Sequence, residues 1–394
     1  MSLPPFNPFL PELRSNPYPL YRRYREEDPV HWNGSQDHAQ GSWCVFSHRE
    51  VMSALKTASL GKSMKPMAPE PLGAMLGQWM LLRNPPHHTR LRGLVNQAFT
   101  PHVVDRLHSS IQEIADSLLS EVESTGEMDV ILHYASALPL IVIAELLGIP
   151  RRDRARLRAW SIDLSFVLDV SPSREAVAQA TRAMFELTAY LRGIVAERRL
   201  ERRPDLISVL IDAEEHGDKL TEDELLTMCV LLLGAGHETT VNLIGNGALA
   251  LLQHPDEFAR LRDDPSIAED AVEELLRYDS SVQMVFREAL EDFTLGGKTI
   301  RRGEAVTLFI GSANRDPEQY PDPDRLDLTR DRTRHIAFGM GIHFCIGAPL
   351  ARLEAQIAFQ TLPRRMPCMK LKPGALIWRS GLVFHGVEEL PVTF

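Results

Sequence analysis

Residues 338–347 read Phe-Gly-Met-Gly-Ile-His-Phe-Cys-Ile-Gly, and Ala-Pro-Leu-Ala-Arg-Leu-Glu follows at 348–354. Gly339, Gly341 and Gly347 surround Cys345 at the point where a helix is set to begin, with Pro349 suited to its first turn. Glycines let the backbone bend sharply and bring N–H groups close to the sulfur. The positive end of the helix dipole favours a thiolate over a thiol. A thiolate held in this way is a strong donor to iron. On this loop alone a second reading stays open, a glycine-rich turn around an inert, packed cysteine.

Upstream, Thr221-Glu222-Asp223-Glu224 is a capping box that starts a helix running through LLTMCVLLLGAGHETTVNLIGNGALALL and ending near His254-Pro255. Thirty residues at ~1.5 Å each give roughly 45–50 Å, enough to cross a domain. The helix is apolar on nearly every side and is therefore expected to be buried. Midway along it lies Ala235-Gly236-His237-Glu238-Thr239. A helical glycine costs about 1 kcal/mol relative to alanine, and a buried carboxylate costs more unless paired. Two penalties side by side point to function, against the blander reading of a tight crossing with an outward ion pair. A further helix is expected from Ser266, with Glu269 completing a second capping box, through AVEELLRY.

Elsewhere, SWCVFSHREV at 42–51 reads as a strand leading into a helix, and residues 292–310 hold a strand pair around Gly296-Gly297. LIWRSGLVFHGVEELPVTF at 376–394 again reads as strands and turns. No repeat or low-complexity linker divides the chain. The expected fold is mainly α with minor β, a single domain over residues 1–394.

The chain has 394 residues, 43 basic against 53 acidic, and a net charge of −10, which argues against general nucleic-acid binding. Cys44, Cys229, Cys345 and Cys368 show no CxxC or zinc-like spacing, so a reducing compartment is expected. The opening MSLPPFNPFLPELRSN lacks an apolar core, and no apolar stretch reaches spanning length, so a cytoplasmic protein without a membrane span is expected.

Taken together, the FGxGxHxCxG string, the long helix with its acid–alcohol pair, Glu-x-x-Arg at 274–277 and NPPHHTRLRGLVNQAFTP at 84–101 resemble the cytochrome P450 family, soluble bacterial type, over almost the whole chain. The cysteine loop is the specific match; Glu-x-x-Arg alone is common in helices. His385 stands where many members carry arginine.

The resemblance implies the P450 fold and haem b, with Cys345 as the axial ligand of the iron. Phe338, His343 and Gly347 of the same loop, Ala235 and Gly236 above the iron, and His88, Arg92 and Arg287 join it as cofactor contacts. His88, Arg92, Arg287 and His343 would meet the two propionates, where each alone would read as an ordinary surface charge. Thr239 would order water and bond dioxygen, and Glu238 would relay protons from solvent. His237 is expected to point away from the distal pocket. Glu274 and Arg277 would join Arg325 in a structural triad.

By the same likeness, the substrate is a hydrophobic small molecule in a pocket walled by Met64, Met67, Met75, Trp79 and Met80, by Phe166–Leu168, Leu232 and Gln283–Val285 (Met284 and Val285 foremost), and by Leu382–Phe384 with Val383. Ordinary core or loop residues are the competing reading for each. Dioxygen is the co-substrate. The chain has no flavin or iron–sulfur motif, so electrons from NAD(P)H would arrive through a ferredoxin or flavodoxin and its reductase. That partner would meet a basic patch from Arg352, Arg364 and Arg365. RRDRARLR at 151–158 reads as a surface helix far from these motifs. A monomer is expected. Competing readings are a peroxide-driven peroxygenase and a non-catalytic haem gas sensor or electron carrier.

Overall fold

A computed structural model describes residues 3–35, 41–63, 68–96, 99–169, 173–216, 220–331 and 334–394. The expected mainly helical architecture is present. The helix Glu222–Gln253 has Thr221 as N-cap with the complete capping box. Between Leu225 and Leu251 every residue is buried except Ala235, Gly236 and Thr239. An all-round apolar helix is stable only if neighbours cover it. Here the helices Ala137–Leu146, Arg154–Ser165, Arg174–Leu200 and Ala348–Arg365 do so.

The helix after the cysteine spans Ala348–Arg365, with proline in its first turn. The helix before the sheet departs from expectation. It covers Ala268–Tyr278 and follows a 3-10 turn, Pro265–Ile267. Its leading cap is Asp264, which accepts from the Ser266 N–H and hydroxyl. Pro265, with fixed φ and no N–H, sets the turn one step earlier than Ser266 would.

Five strands form one sheet in the order Val30–Gly34, Gly41–Val45, Ala305–Phe309, Met284–Ala289, Leu60–Gly61. Gly41–Val45 runs parallel to Ala305–Phe309, and the other pairings are antiparallel. Phe293–Leu295 and Lys298–Ile300 pair around Gly296 and Gly297, with φ of 55° and 76°. Positive φ at both positions is what a two-residue hairpin turn demands. Glu127–Asp129, Pro391–Thr393 and Lys370–Leu371 make a small third sheet.

Below the sheet–helix junction, Arg277 and Glu274 are fully buried and joined by two 2.7 Å contacts. Arg277 also donates to the carbonyls of Asn314 and Pro323. The third member of this triad is Arg330, 3.2 Å from Glu274, and not Arg325. Arg325 is exposed and contributes only its carbonyl to Arg277. The chain turns at 321–330, so the fifth residue on, rather than the first, faces the core.

Candidate functional site

Cys345 lies in a turn whose conformation needs glycine, with φ of 70° at Gly339 and 73° at Gly341. Its own N–H donates to the Phe338 carbonyl at 2.9 Å. The backbone N–H groups of Gly347 and Ala348, and the charges of Arg92 and Arg352, favour its thiolate. Burial nevertheless prevails and pushes the thiol up. The expected preference for thiolate is therefore not met by the chain alone; a coordinating metal ion deprotonates such a thiol outright. The sulfur is ringed by protein yet its residue is accessible, as the wall of an open cavity is.

The neighbouring charges fit a dianionic group. His88 and Arg92 share one face of the helix His87–Asn96. Arg287 projects from Met284–Ala289. The His88 and His343 rings stand 4.3 Å apart, and His88 Nδ1 and His343 Nε2 are buried without a partner. Burial and then the surrounding cations lower His343 to about 2. Burial also lowers Arg287, to about 10. Sequence reading missed a fifth basic residue, Lys62. Gly61 pairs with Glu288 in antiparallel register, bringing Lys62 beside Arg287. Asn84 holds its backbone on both sides. No carboxylate pairs with any of these five among the described residues. Such a set is costly on its own and matches two propionates beside a thiolate-bound iron.

The break in the central helix's burial at Ala235, Gly236 and Thr239 lies on one helical face. A methyl added at Gly236 would meet nothing within 4 Å, so the face is open. The Thr239 hydroxyl donates to the Ala235 carbonyl at 2.8 Å, which leaves its lone pairs directed toward the opening. Glu238, about 100° round the helix from Thr239, is not part of this open face. It is buried and 2.5 Å from Arg379. Burial raises its carboxyl, and Arg379 opposes the rise.

His237 points into protein, as expected, with Nδ1 2.9 Å from Ser161 Oγ and Nε2 3.0 Å from the Ser136 carbonyl. Arg158 donates to the Ser136 hydroxyl, so the arginine-rich helix is not remote from the motif. Burial lowers His237 to about 4. An unfolded histidine titrates near 6.5, so between these values the unfolded chain binds a proton the folded one does not. Stability therefore falls as pH drops through this window and levels off below it, by about 3 kcal/mol. Thermal melting of the parent and of His237→Gln across this range should show a smaller acid loss in the variant; equal losses would contradict the assignment.

The expected pocket walls divide. Trp79, Met80 and Leu232 are buried in the main apolar core, with Met75, Ala235 and Phe338 packed against it. Met64 and Met67 lie outside the described residues, as does the side chain of Leu168. Phe166 is exposed. Met284 and Val285 cannot share a wall, because successive strand residues face opposite sides. Val285 lies on the Arg287 side. Met284 packs with Leu382 and Val383 against the N-terminal aromatic residues. With Phe6 and Tyr21, Met284 and Leu382 line a separate cavity of about 10 Å³, room for one water. The basic patch also changes. Arg352 is bidentate to Glu273, which His335 and Arg352 hold down to about 2 against burial. Arg365 pairs with Asp116 and Glu123. Only Arg364 of the three is exposed and unpaired among the described residues.

With this geometry in place, the comparisons agree on one class. The pattern of the Cytochrome P450 family matches residues 162–366, and the chain belongs to that family: it is a haem-thiolate monooxygenase. It is 42% identical over 403 residues to the polyketide biosynthesis cytochrome P450 PksS of Bacillus subtilis (strain 168), covering 98% of each. It is 42% identical over 386 residues to the vitamin D(3) 25-hydroxylase of Pseudonocardia autotrophica, covering 96% of this chain and 94% of that one. The structure of P450BioI with an acyl carrier protein ligated to hexadec-9Z-enoic acid superposes with a TM-score of 0.91 at 40% identity, covering 97% and 99%. Among the described residues, no helix is long and apolar enough to cross a membrane.

Proposed function

We propose that this protein inserts one oxygen atom of dioxygen into an extended apolar molecule, such as an acyl chain, a polyketide or a steroid. NAD(P)H would supply the electrons through a ferredoxin or flavodoxin and its reductase, in the cytoplasm, and all 394 residues would serve one catalytic domain. The observation that carries this reading is the break in the buried central helix at Ala235, Gly236 and Thr239, immediately beside the buried acid Glu238.

Cys345 holds the haem iron, and Lys62, His88, Arg92, Arg287 and His343 hold the propionates. The bound haem supplies the redox centre at which oxygen is activated. Phe338 and Gly347 pack beside the sulfur, Phe338 also meeting the Arg352 guanidinium at 4.6 Å. Ala235 and Gly236 keep the helix thin where oxygen binds. Thr239, its own proton committed to Ala235, accepts from a water and fixes it at the opening. Glu238 exchanges protons with that water. Leu232 and the Met75–Met80 segment exclude bulk solvent and prefer apolar substrates.

Turnover under heavy-isotope dioxygen with ferredoxin, reductase and NAD(P)H should label the product of any fatty-acyl, steroid or macrolide ligand that shifts the ferric spin state. Product lacking the label, or equal turnover with peroxide alone, would contradict the proposal.

A further inference from the structure

The C-terminal hairpin lies along the central helix and reaches Glu238, Asn242 and Asn246. Trp378 bridges Val387, and the Arg379 N–H donates to the Gly386 carbonyl. Asn246 donates to the His385 carbonyl at 2.9 Å. Gly386 comes so near the helix that a Cβ there would stand 2.4 Å from Asn242 Oδ1. Arg379 reaches Glu238. The seam therefore runs along Glu238, Asn242 and Asn246, spaced four apart in one row.

These three side chains are 2%, 1% and 2% exposed. Glu238 Oε1 is taken by the Arg379 guanidinium, but the second Glu238 oxygen, both polar atoms of Asn242, Oδ1 of Asn246 and Nε of Arg379 are buried with no well-formed hydrogen bond from the protein. Asn242 is near enough to Glu238 to favour its charge, without forming a full hydrogen bond to it. Each orphaned polar atom costs about 1–3 kcal/mol, so the five together are a large cost beside a typical fold's whole stability of ~5–15 kcal/mol. Leucine in place of either asparagine would remove that cost at similar volume. The row is tolerable where ordered water bonds it, since buried waters need two to four polar partners each. Arg379, with a side chain 22% exposed, joins the row to solvent.

We propose that the seam between the central helix and the hairpin is a hydrated proton conduit: protons enter past Arg379 and reach Glu238 along waters held by Asn242 and Asn246. Arg379, Asn242 and Asn246 are positioning residues in this scheme. The inference rests on the monooxygenase reading and adds the route by which its protons arrive. Oxygenation with dioxygen, R–H + O₂ + 2e⁻ + 2H⁺ → R–OH + H₂O, draws two protons from solvent. The peroxide-driven reaction, R–H + H₂O₂ → R–OH + H₂O, draws none.

That difference supplies the test on the haem-loaded enzyme. Asn242→Leu should lower NAD(P)H-driven product about tenfold and raise the solvent deuterium effect on kcat, while leaving peroxide-driven product within about twofold of the parent. Asn242→Ser, which keeps a hydroxyl and space for water, should restore NAD(P)H-driven turnover. Asn242→Leu should also melt below the parent, since it evicts bonded water. Intact NAD(P)H coupling, an equal loss by both routes, or a higher melting temperature would each overturn the conduit. Should Asn242→Leu fail to load haem, Arg379→Gln carries the same comparison of the two routes. Failure of the monooxygenase reading would show separately, as a parent enzyme without a thiolate-type carbon-monoxide spectrum.

Discussion

Replacing Thr239 with alanine is expected to cut product formation by ~10²-fold or more, the scale of losing one positioned proton transfer, while NAD(P)H oxidation continues. The electrons should appear as hydrogen peroxide instead of product. Two features of the structure lead here. The hydroxyl faces the open side of the helix, and its proton is already committed to Ala235 at 2.8 Å. Thr239 thus offers lone pairs that hold a donor water in place, and alanine offers none. Haem content and substrate-induced spin shift should be unchanged, since Thr239 touches no charged haem contact. Thr239→Ser should keep most of the coupling. A Thr239→Ala enzyme with undiminished product per NAD(P)H would remove this residue from the proton path.

The second large effect lies outside the chemistry. Arg277→Met leaves Glu274, 1% exposed, facing only Arg330 and the Asp327 N–H. It also strips the buried Asn314 carbonyl and the half-buried Pro323 carbonyl of their donor. Breaking one side of a buried pair costs about 3–5 kcal/mol. With an unfolding entropy of roughly 2.1 cal/mol/K per residue, a chain of 394 residues should melt about 4–6 °C lower. Arg277→Lys should recover only part, because a lysine cannot reproduce the forked contact. A shift under about 1 °C would mean the triad is dispensable.

What could be read from the sequence was what the chain encodes locally. The cysteine loop is a contiguous string whose glycines are required by its own turns, and the Thr221–Glu224 box fixes a helix start within four residues. The acid–alcohol pair is conspicuous because it violates the pattern of an apolar helix. Residues that reach the site from far along the chain left no such mark. Lys62 arrives through strand register with Glu288, and Arg379 through a hairpin folding back on the helix. Arg325 and Arg330 share one meander, and nothing local in the sequence tells which of them turns inward to Glu274. The pocket walls suffered most: Met284 and Val285 are neighbours in sequence, but the pleat sends them to different sides.

All of this chemistry depends on Cys345 supplying a thiolate to haem iron. The absorption spectrum of the reduced protein under carbon monoxide, recorded for the parent and for Cys345→His, tests it most directly. The parent should show the red-shifted Soret band of thiolate ligation, and the variant an imidazole-type band at shorter wavelength in its place. A parent without that band, or a variant whose spectrum matches the parent's, would contradict it.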